Sequence, residues 1–317
     1  MALHVLHYLH QDRAQWGVVA SGAITPIPGE FKSTAEFIEA NPIERLFLPR
    51  GLTIPESEVQ WLSPVTANQQ FICQGANYRQ HMIESGMDPD VKKFNMIFTK
   101  ATSCIVAADS PVVKPNEVRF LDYEIELGLV LKRDITSRET VTDQNLHDYI
   151  AGAVIVNDYS ARDVQIPQMQ FYKGKSYRTF GPAGPYLLLL SAEEWLRWPE
   201  LRMRLAVNGQ PRQDSYCGDM IYKPHQTLTE LSALHDLDAG DLIATGTPAG
   251  CAARAPGKLV LWAMKHLLSD TTKWRLFIQK GLGNPAYLRP GDVITAAIRS
   301  DDGRLDLGEQ RNRVVTA

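Results

Sequence analysis

Glu124 and Glu126 stand two residues apart in the run Tyr123-Glu124-Ile125-Glu126-Leu127. Side chains alternate along an extended strand, so both carboxylates share one face and Ile125 and Leu127 share the other. Like charges side by side repel, and each is costly to desolvate. A divalent cation between them turns that repulsion into coordination; a solvated strand face relieves it as well. Asp158 follows the apolar run Ala153-Val154-Ile155-Val156-Asn157, which places it at the end of a buried strand. Strand ends are where a rigid scaffold presents functional groups. A turn or a helix cap is the structural role an aspartate otherwise plays there.

Two further groups suit acid–base and oxyanion work. In Asn77-Tyr78-Arg79-Gln80-His81-Met82-Ile83-Glu84, a short helical stretch puts His81 and Glu84 three residues apart, hence on one face. A carboxylate beside an imidazole raises its pKa and orients it as a base for water. An ordinary surface pair has the same spacing and contributes little. Lys175, in Phe171-Tyr172-Lys173-Gly174-Lys175-Ser176 and just ahead of the Gly/Pro-rich Phe180–Pro185, can stabilise a developing oxyanion. Gly246-Thr247-Pro248-Ala249-Gly250 follows an apolar strand start, where small residues let backbone N–H groups approach a carboxylate. It lacks the GxxxxGK[ST] pattern of a phosphate loop.

Positioning these groups requires a β-rich α+β chain. Strands are expected at Val5–Leu9, Trp16–Ala20, Met96–Thr99, Asp122–Leu131, Ile150–Val156, Tyr186–Leu190, Leu201–Val207, Leu242–Thr245 and Val293–Ala297. Turn pairs such as Asn208-Gly209 and Pro290-Gly291 separate several of them. Helices are expected at Ser33–Ala40 with Ser33 as N-cap, Arg79–Ser85, Asp143–Asp148 and Leu228–Ala233. The pattern divides into a small N-terminal domain over 1–65 and a catalytic domain over 66–317.

Composition narrows the class. The chain has 317 residues, 44% hydrophobic and 22% charged, with a formal charge of −3, which is ordinary for a globular protein and gives no pull toward nucleic acid. No apolar run approaches the roughly 20 residues that span a bilayer, and no membrane association is expected. The N-terminus lacks a basic start and a cleavage site. Cys73, Cys104, Cys217 and Cys251 form no CxxC pair, so free thiols in a reducing cytoplasm are expected. From Arg254 to Arg289 the chain carries seven Lys/Arg and one acid, Asp270, together with Trp262, Trp274 and Phe277. Lys258–Leu268 in this segment has the pattern of a helix. The segment is either an inserted packing element with a solvated basic side or a lid or extra wall for an anionic substrate.

The order and wording of these motifs resemble the fumarylacetoacetate hydrolase superfamily: Glu124-x-Glu126, then Asn157-Asp158-Tyr159-Ser160-Ala161-Arg162-Asp163, then Gly174-Lys175-Ser176, then Gly246-Thr247-Pro248-Ala249-Gly250. The resemblance covers roughly 70–250 and resumes at Tyr287–Ala297, and it points to an acylpyruvase or fumarylpyruvate hydrolase-like member. It implies a mixed β-roll behind a small N-terminal domain, a homodimer, and Mg²⁺ or Mn²⁺ held by Glu124, Glu126 and Asp158, with Ca²⁺ as an in vitro substitute. It implies His81 and Glu84 as the water-activating pair and Lys175 beside the substrate oxygens. Tyr78, Gln165, Tyr172, Gly246 and Thr247 are the expected substrate contacts. The chain departs from the pattern at Ala76, Tyr172 and Arg178, and in an insertion over 254–286.

A three-carboxylate site suits a hard divalent cation. The expected reaction is hydrolysis of a C–C bond in a β-diketo acid, giving a 2-oxo acid and a carboxylic acid. The same enolate chemistry serves decarboxylation, isomerisation or tautomerisation of a 2-oxo acid. A non-catalytic binding protein on the same fold is the third reading.

Overall fold

A computed structural model of the chain describes residues 2–46, 51–91, 94–257, 260 and 266–317. Its spine is a mixed sheet. Leu3–His10 pairs with Tyr186–Leu189, which pairs with Ile150–Asn157, then Ile125–Leu131, Leu242–Ala244, Phe71–Gly75 and Met96–Thr99. Leu242–Ala244 and Phe71–Gly75 run parallel, and the other neighbours in this series run antiparallel. Ile125–Leu131 is buried at every position, as a strand covered on both faces requires. A second, five-stranded sheet contains Leu201–Val207 and Val293–Ser300, where buried and more exposed positions alternate. One face of that sheet closes over the core and the other meets solvent.

The segment read as a separate N-terminal domain shares the spine: Leu3–His10 is hydrogen-bonded directly to Tyr186–Leu189. Around it sits a distinct apolar cluster in which Trp16 stacks on Phe37 at 4.3 Å.

Local signals behave as their chemistry requires. Ser33 Oγ accepts from the Glu36 amide at 3.2 Å and caps Thr34–Ala40. Asn208 and Gly209 both take positive φ, 51° and 77°, and join Leu201–Val207 to Gln210–Tyr216 as the tight hairpin turn requires. Two helices differ from expectation. Over 143–148 only a single 3₁₀ turn forms, Leu146–Asp148. The Asn145 side chain accepts from the Thr142 amide at 2.7 Å, a local bond that competes with helix. The helix expected at Leu228–Ala233 starts earlier and spans Pro224–Leu231, because a proline at the first turn has no N–H to lose. The helix expected over Lys258–Leu268 falls mostly outside the described residues. Further on, Asp270–Leu282 is a 13-residue helix capped by Ser269. All four cysteines are free and buried. Among the described residues, no helix is long and apolar enough to cross a membrane.

Candidate active site

The three expected metal ligands converge, and the backbone explains why. Glu126 lies within Ile125–Leu131, opposite Val156. Glu124 and Asp158 flank the ends of the two paired strands. The Asp158 amide donates to the Glu124 carbonyl at 2.8 Å, and the Glu124 amide donates to Asn157 Oδ1 at 2.9 Å. Side-chain oxygens of Glu124, Glu126 and Asp158 lie within 4.8 Å of one another, and all three residues are buried. The Glu-x-Glu face is therefore not a solvated one.

Buried carboxylates this close need compensation. Lys175 Nζ donates to Glu124 Oε2 at 2.7 Å, to Asp158 Oδ2 at 2.5 Å and to Ser160 Oγ at 2.8 Å. Lys100 Nζ donates to Asp158 Oδ1 at 2.5 Å and to the Phe180 carbonyl at 2.8 Å. Arg162 forks between Asp122 (2.8 Å) and Glu124, and also donates to Gln165 Oε1 at 2.7 Å. The environment separates the two glutamates. Burial favours protonation of Glu124, but Arg162 and Lys175 outweigh it and hold its carboxyl well below the usual range. Glu126 is pushed well above that range by burial and by the neighbouring Asp158 and Glu124. Its Oε2 accepts only the Gly246 amide, at 2.8 Å, and among the described residues no lysine or arginine pairs with it.

That uncompensated carboxylate is where a divalent cation fits. With all four ionised, as cation binding requires, the cluster counts four carboxylates (Asp122, Glu124, Glu126, Asp158) against three cations (Lys100, Lys175, Arg162), one negative charge in excess. Adding a divalent ion leaves one positive charge, matched by the carboxylate of a monoanionic ligand. The all-oxygen donor set suits a hard cation.

A cavity of about 1040 Å³ opens over this cluster. His81, Glu124, Glu126, Arg162, Gln165, Lys175 and Thr247 all line it. Burial pushes the His81 imidazole down, and Glu124 offsets this only in part, so its net shift is opposite to the one a Glu84 partner would impose. Its Nδ1 lies 3.9 Å from Cys251 Sγ. Burial pushes the Cys251 thiol well up, with Asp122 and Glu124 adding to it.

Four expected contacts are placed differently. Glu84 does not join His81. Its Oε2 accepts the Gly250 amide at 2.8 Å, and Arg254 stands 3.4 Å from its other oxygen. An N–H donor and a cation together outcompete a neutral imidazole. Tyr78 turns into the core with its hydroxyl 4.0 Å from Met203 Sδ. Tyr172 is 54% exposed and outside the cavity. On the short helix Phe171–Lys175, residues 171 and 175 share a face by i, i+4 spacing, so Phe171 lines the cavity in its place. Gly246 serves Glu126 rather than the cavity. Its φ of +89° is open to glycine, and a Cβ there would sit 2.8 Å from the Asn77 Cβ.

Sequence reasoning missed Lys100, Asp122 and Gln213. Gln213 Nε2 donates to Thr247 Oγ1 at 2.8 Å while its Oε1 accepts from the Ile125 amide at 3.0 Å, tying the small-residue loop to the Glu-x-Glu strand. Arg162 lay inside a quoted motif without an assigned role. Nothing local marks Lys100, which reaches Asp158 across 58 residues of sequence.

The family model described as fumarylacetoacetate (FAA) hydrolase C-terminal matches residues 70–315. The chain is 34% identical over 245 residues to the oxaloacetate tautomerase YisK of Bacillus subtilis (strain 168), covering 76% of this chain and 70% of that protein. It is 33% identical over 243 residues to the mitochondrial oxaloacetate tautomerase FAHD2A of Bos taurus, covering 74% of each. The solved fumarylacetoacetate hydrolase of Exiguobacterium antarcticum superposes with a TM-score of 0.75 at 28% identity, over 99% of this chain and 100% of that one. The chain belongs to the fumarylacetoacetate hydrolase family of enzymes.

Proposed function

We propose that this protein interconverts the keto and enol forms of a 2-oxo acid with the help of Mg²⁺ or Mn²⁺. The observation that carries the reading is the division of labour around His81. Glu84 is committed to Gly250 and Arg254, which leaves His81 as a buried imidazole on the cavity wall without a carboxylate partner from its own helix, its Nδ1 against Cys251 Sγ and Glu124 beside it. A base without such a partner suits moving one proton between carbon and oxygen, whereas hydrolysis asks for a base oriented to activate water. Two relatives above 30% identity, named oxaloacetate tautomerases, point the same way.

Glu124, Glu126 and Asp158 would hold the cation, which supplies a Lewis acid for the keto oxygen of the substrate. The chain's own residues do the rest. His81 takes the proton from the carbon next to the keto group, and that C–H electron pair becomes the enolate. Lys175, kept protonated by Asp158 and Glu124 despite its burial, faces the developing oxyanion. The proton returns to the enolate oxygen. Thr247, with its hydroxyl donating to the Ile125 carbonyl, and Gln165, held by Arg162, shape the floor.

The size of the cavity favours a second reading, hydrolysis of a β-diketo acid, since it has room for an acyl group beyond the 2-oxo acid. One assay separates the two. The metal-stripped protein is mixed with enol oxaloacetate or an acylpyruvate, with and without Mn²⁺, while enol absorbance and acid release are followed. Tautomerisation gives metal-dependent relaxation to the keto–enol equilibrium with no acid released. Stoichiometric release of a carboxylic acid from an acylpyruvate assigns hydrolysis, and rates indifferent to EDTA reject both.

A further inference from the structure

Resting on the 2-oxo acid reading, we infer that the outer half of the cavity is a subsite for a bulky apolar, preferably aromatic, substituent on that acid. A four-carbon diacid needs only the region around Glu124, Glu126 and Lys175. The cavity instead measures about 1040 Å³, at the upper end of the roughly 300–1,000 Å³ of sites that enclose drug-sized ligands. Its outer wall comes from the segment that sequence analysis singled out: Leu267, Trp274, Leu276 and Phe277 face the same cavity as the carboxylates. Leu276 and Trp274 remain 40% and 39% exposed, so among the described residues the helix keeps large apolar side chains on a face that is only partly covered. Single exposed apolar residues are ordinary; a contiguous set on the wall of a site marks ligand contact.

The wall is seated rather than loose. Phe277 meets Phe120 edge-on at 5.6 Å, and Phe120 stacks on Tyr287 at 5.0 Å. Gly281 lies so close to the Phe120 ring that a Cβ would fall 2.3 Å from it. The Phe120 carbonyl in turn accepts from the Arg162 amide at 2.9 Å, so the wall and the charged cluster are joined through adjacent residues. The basic character of the segment does not make it a second anion site. Lys273 is paired with Asp270 at 2.9 Å, and Arg254 stands 3.4 Å from Glu84. Lys280 lines the cavity as well, and beside these polar groups the large side chains of the wall include Leu267, Trp274, Leu276 and Phe277.

The test is calorimetry of the Mn²⁺-loaded protein with two inert 2-oxo acid mimics, oxamate and N-benzyloxamate. Burial of the added ring should make N-benzyloxamate bind roughly 10-fold to 100-fold tighter. Trp274→Ala and Leu276→Ala, both at half-exposed positions that fold should tolerate, are expected to remove most of that gain and leave oxamate affinity unchanged. Equal or weaker binding of N-benzyloxamate while oxamate binds overturns the apolar subsite and leaves the 2-oxo acid reading standing. Binding of N-benzyloxamate alone supports the subsite and rejects the headgroup reading. Binding of neither overturns both.

Discussion

The two halves of one cavity are built on opposite principles. The inner half is charged, buried and, Glu126 apart, paired: Glu124, Asp158, Lys100, Lys175 and Arg162 each have at least two partners and almost no exposed surface. The outer half is apolar and open, with Trp274, Leu276 and Leu267 on its surface. Buried charge gains from exact partner number and geometry, so the inner half tolerates little change. An apolar wall needs only shape and area, so the outer half can vary in size without disturbing the chemistry. On the proposed reading, the comparison assigns reaction type and substrate size to different residues.

The sharpest way to break that comparison is to remove a charge from the inner half that never touches the cavity. Lys100→Met leaves Asp158 with Lys175 alone. Loss of one partner from a fully buried network is expected to cost about 3–5 kcal/mol, read from urea unfolding. A variant as stable as the parent would show that the cluster is not held by its ion pairs. Glu126→Gln comes next. It keeps the shape, removes the carboxylate without a cationic partner, and should lower turnover by roughly 10²–10³ while abolishing the rise in Tm expected when Mn²⁺ is added to the parent. A Tm response equal to that of the parent would take Glu126 out of the ligand set.

In the outer half, Gly281→Val drives a side chain into the Phe120 ring and must displace the wall. Overpacking of this kind costs about 1–3 kcal/mol. We expect it to raise KM for substrates with large apolar substituents more than for oxaloacetate, and a uniform change in KM would mean the wall does not select. The smallest effect lies away from both halves. His7 stacks on Trp16 and its Nδ1 is 2.7 Å from the Ser63 carbonyl, and burial pushes its pKa below the ordinary 6.5. The unfolded chain then binds the proton first, so stability is complete above pH 6.5 and declines as pH falls toward the folded-state pKa. Replacing His7 by Gln should flatten that part of the stability–pH curve without altering activity; an unchanged slope would show that His7 titrates alike in both states.

Much of the inner half was legible in the chain. Strand alternation put Glu124 and Glu126 on one face, the end of an apolar run announced Asp158, and the Gly174-Lys175-Ser176 frame marked Lys175. Each of these signals is local, because side-chain direction in a strand repeats every two residues. Local spacing also suggested a His81–Glu84 pair and the family resemblance a Tyr172 contact, and neither assembled. In the first case the competing partners, Gly250 and Arg254, lie more than 160 residues further on.

What the sequence by itself determined is therefore the β-rich architecture, the three carboxylates and the lysine, since each follows from period, cap or motif within a few residues. What only the tertiary structure decided is which charges neutralise which, that Glu126 has no lysine or arginine partner among the described residues, and that an apolar wall borders the cavity. Those depend on contacts such as Lys100 with Asp158 and Phe120 with Phe277, between residues far apart in the chain. No local pattern encodes such a pairing, because the free energy of a buried charge or ring is set by whatever the fold brings beside it.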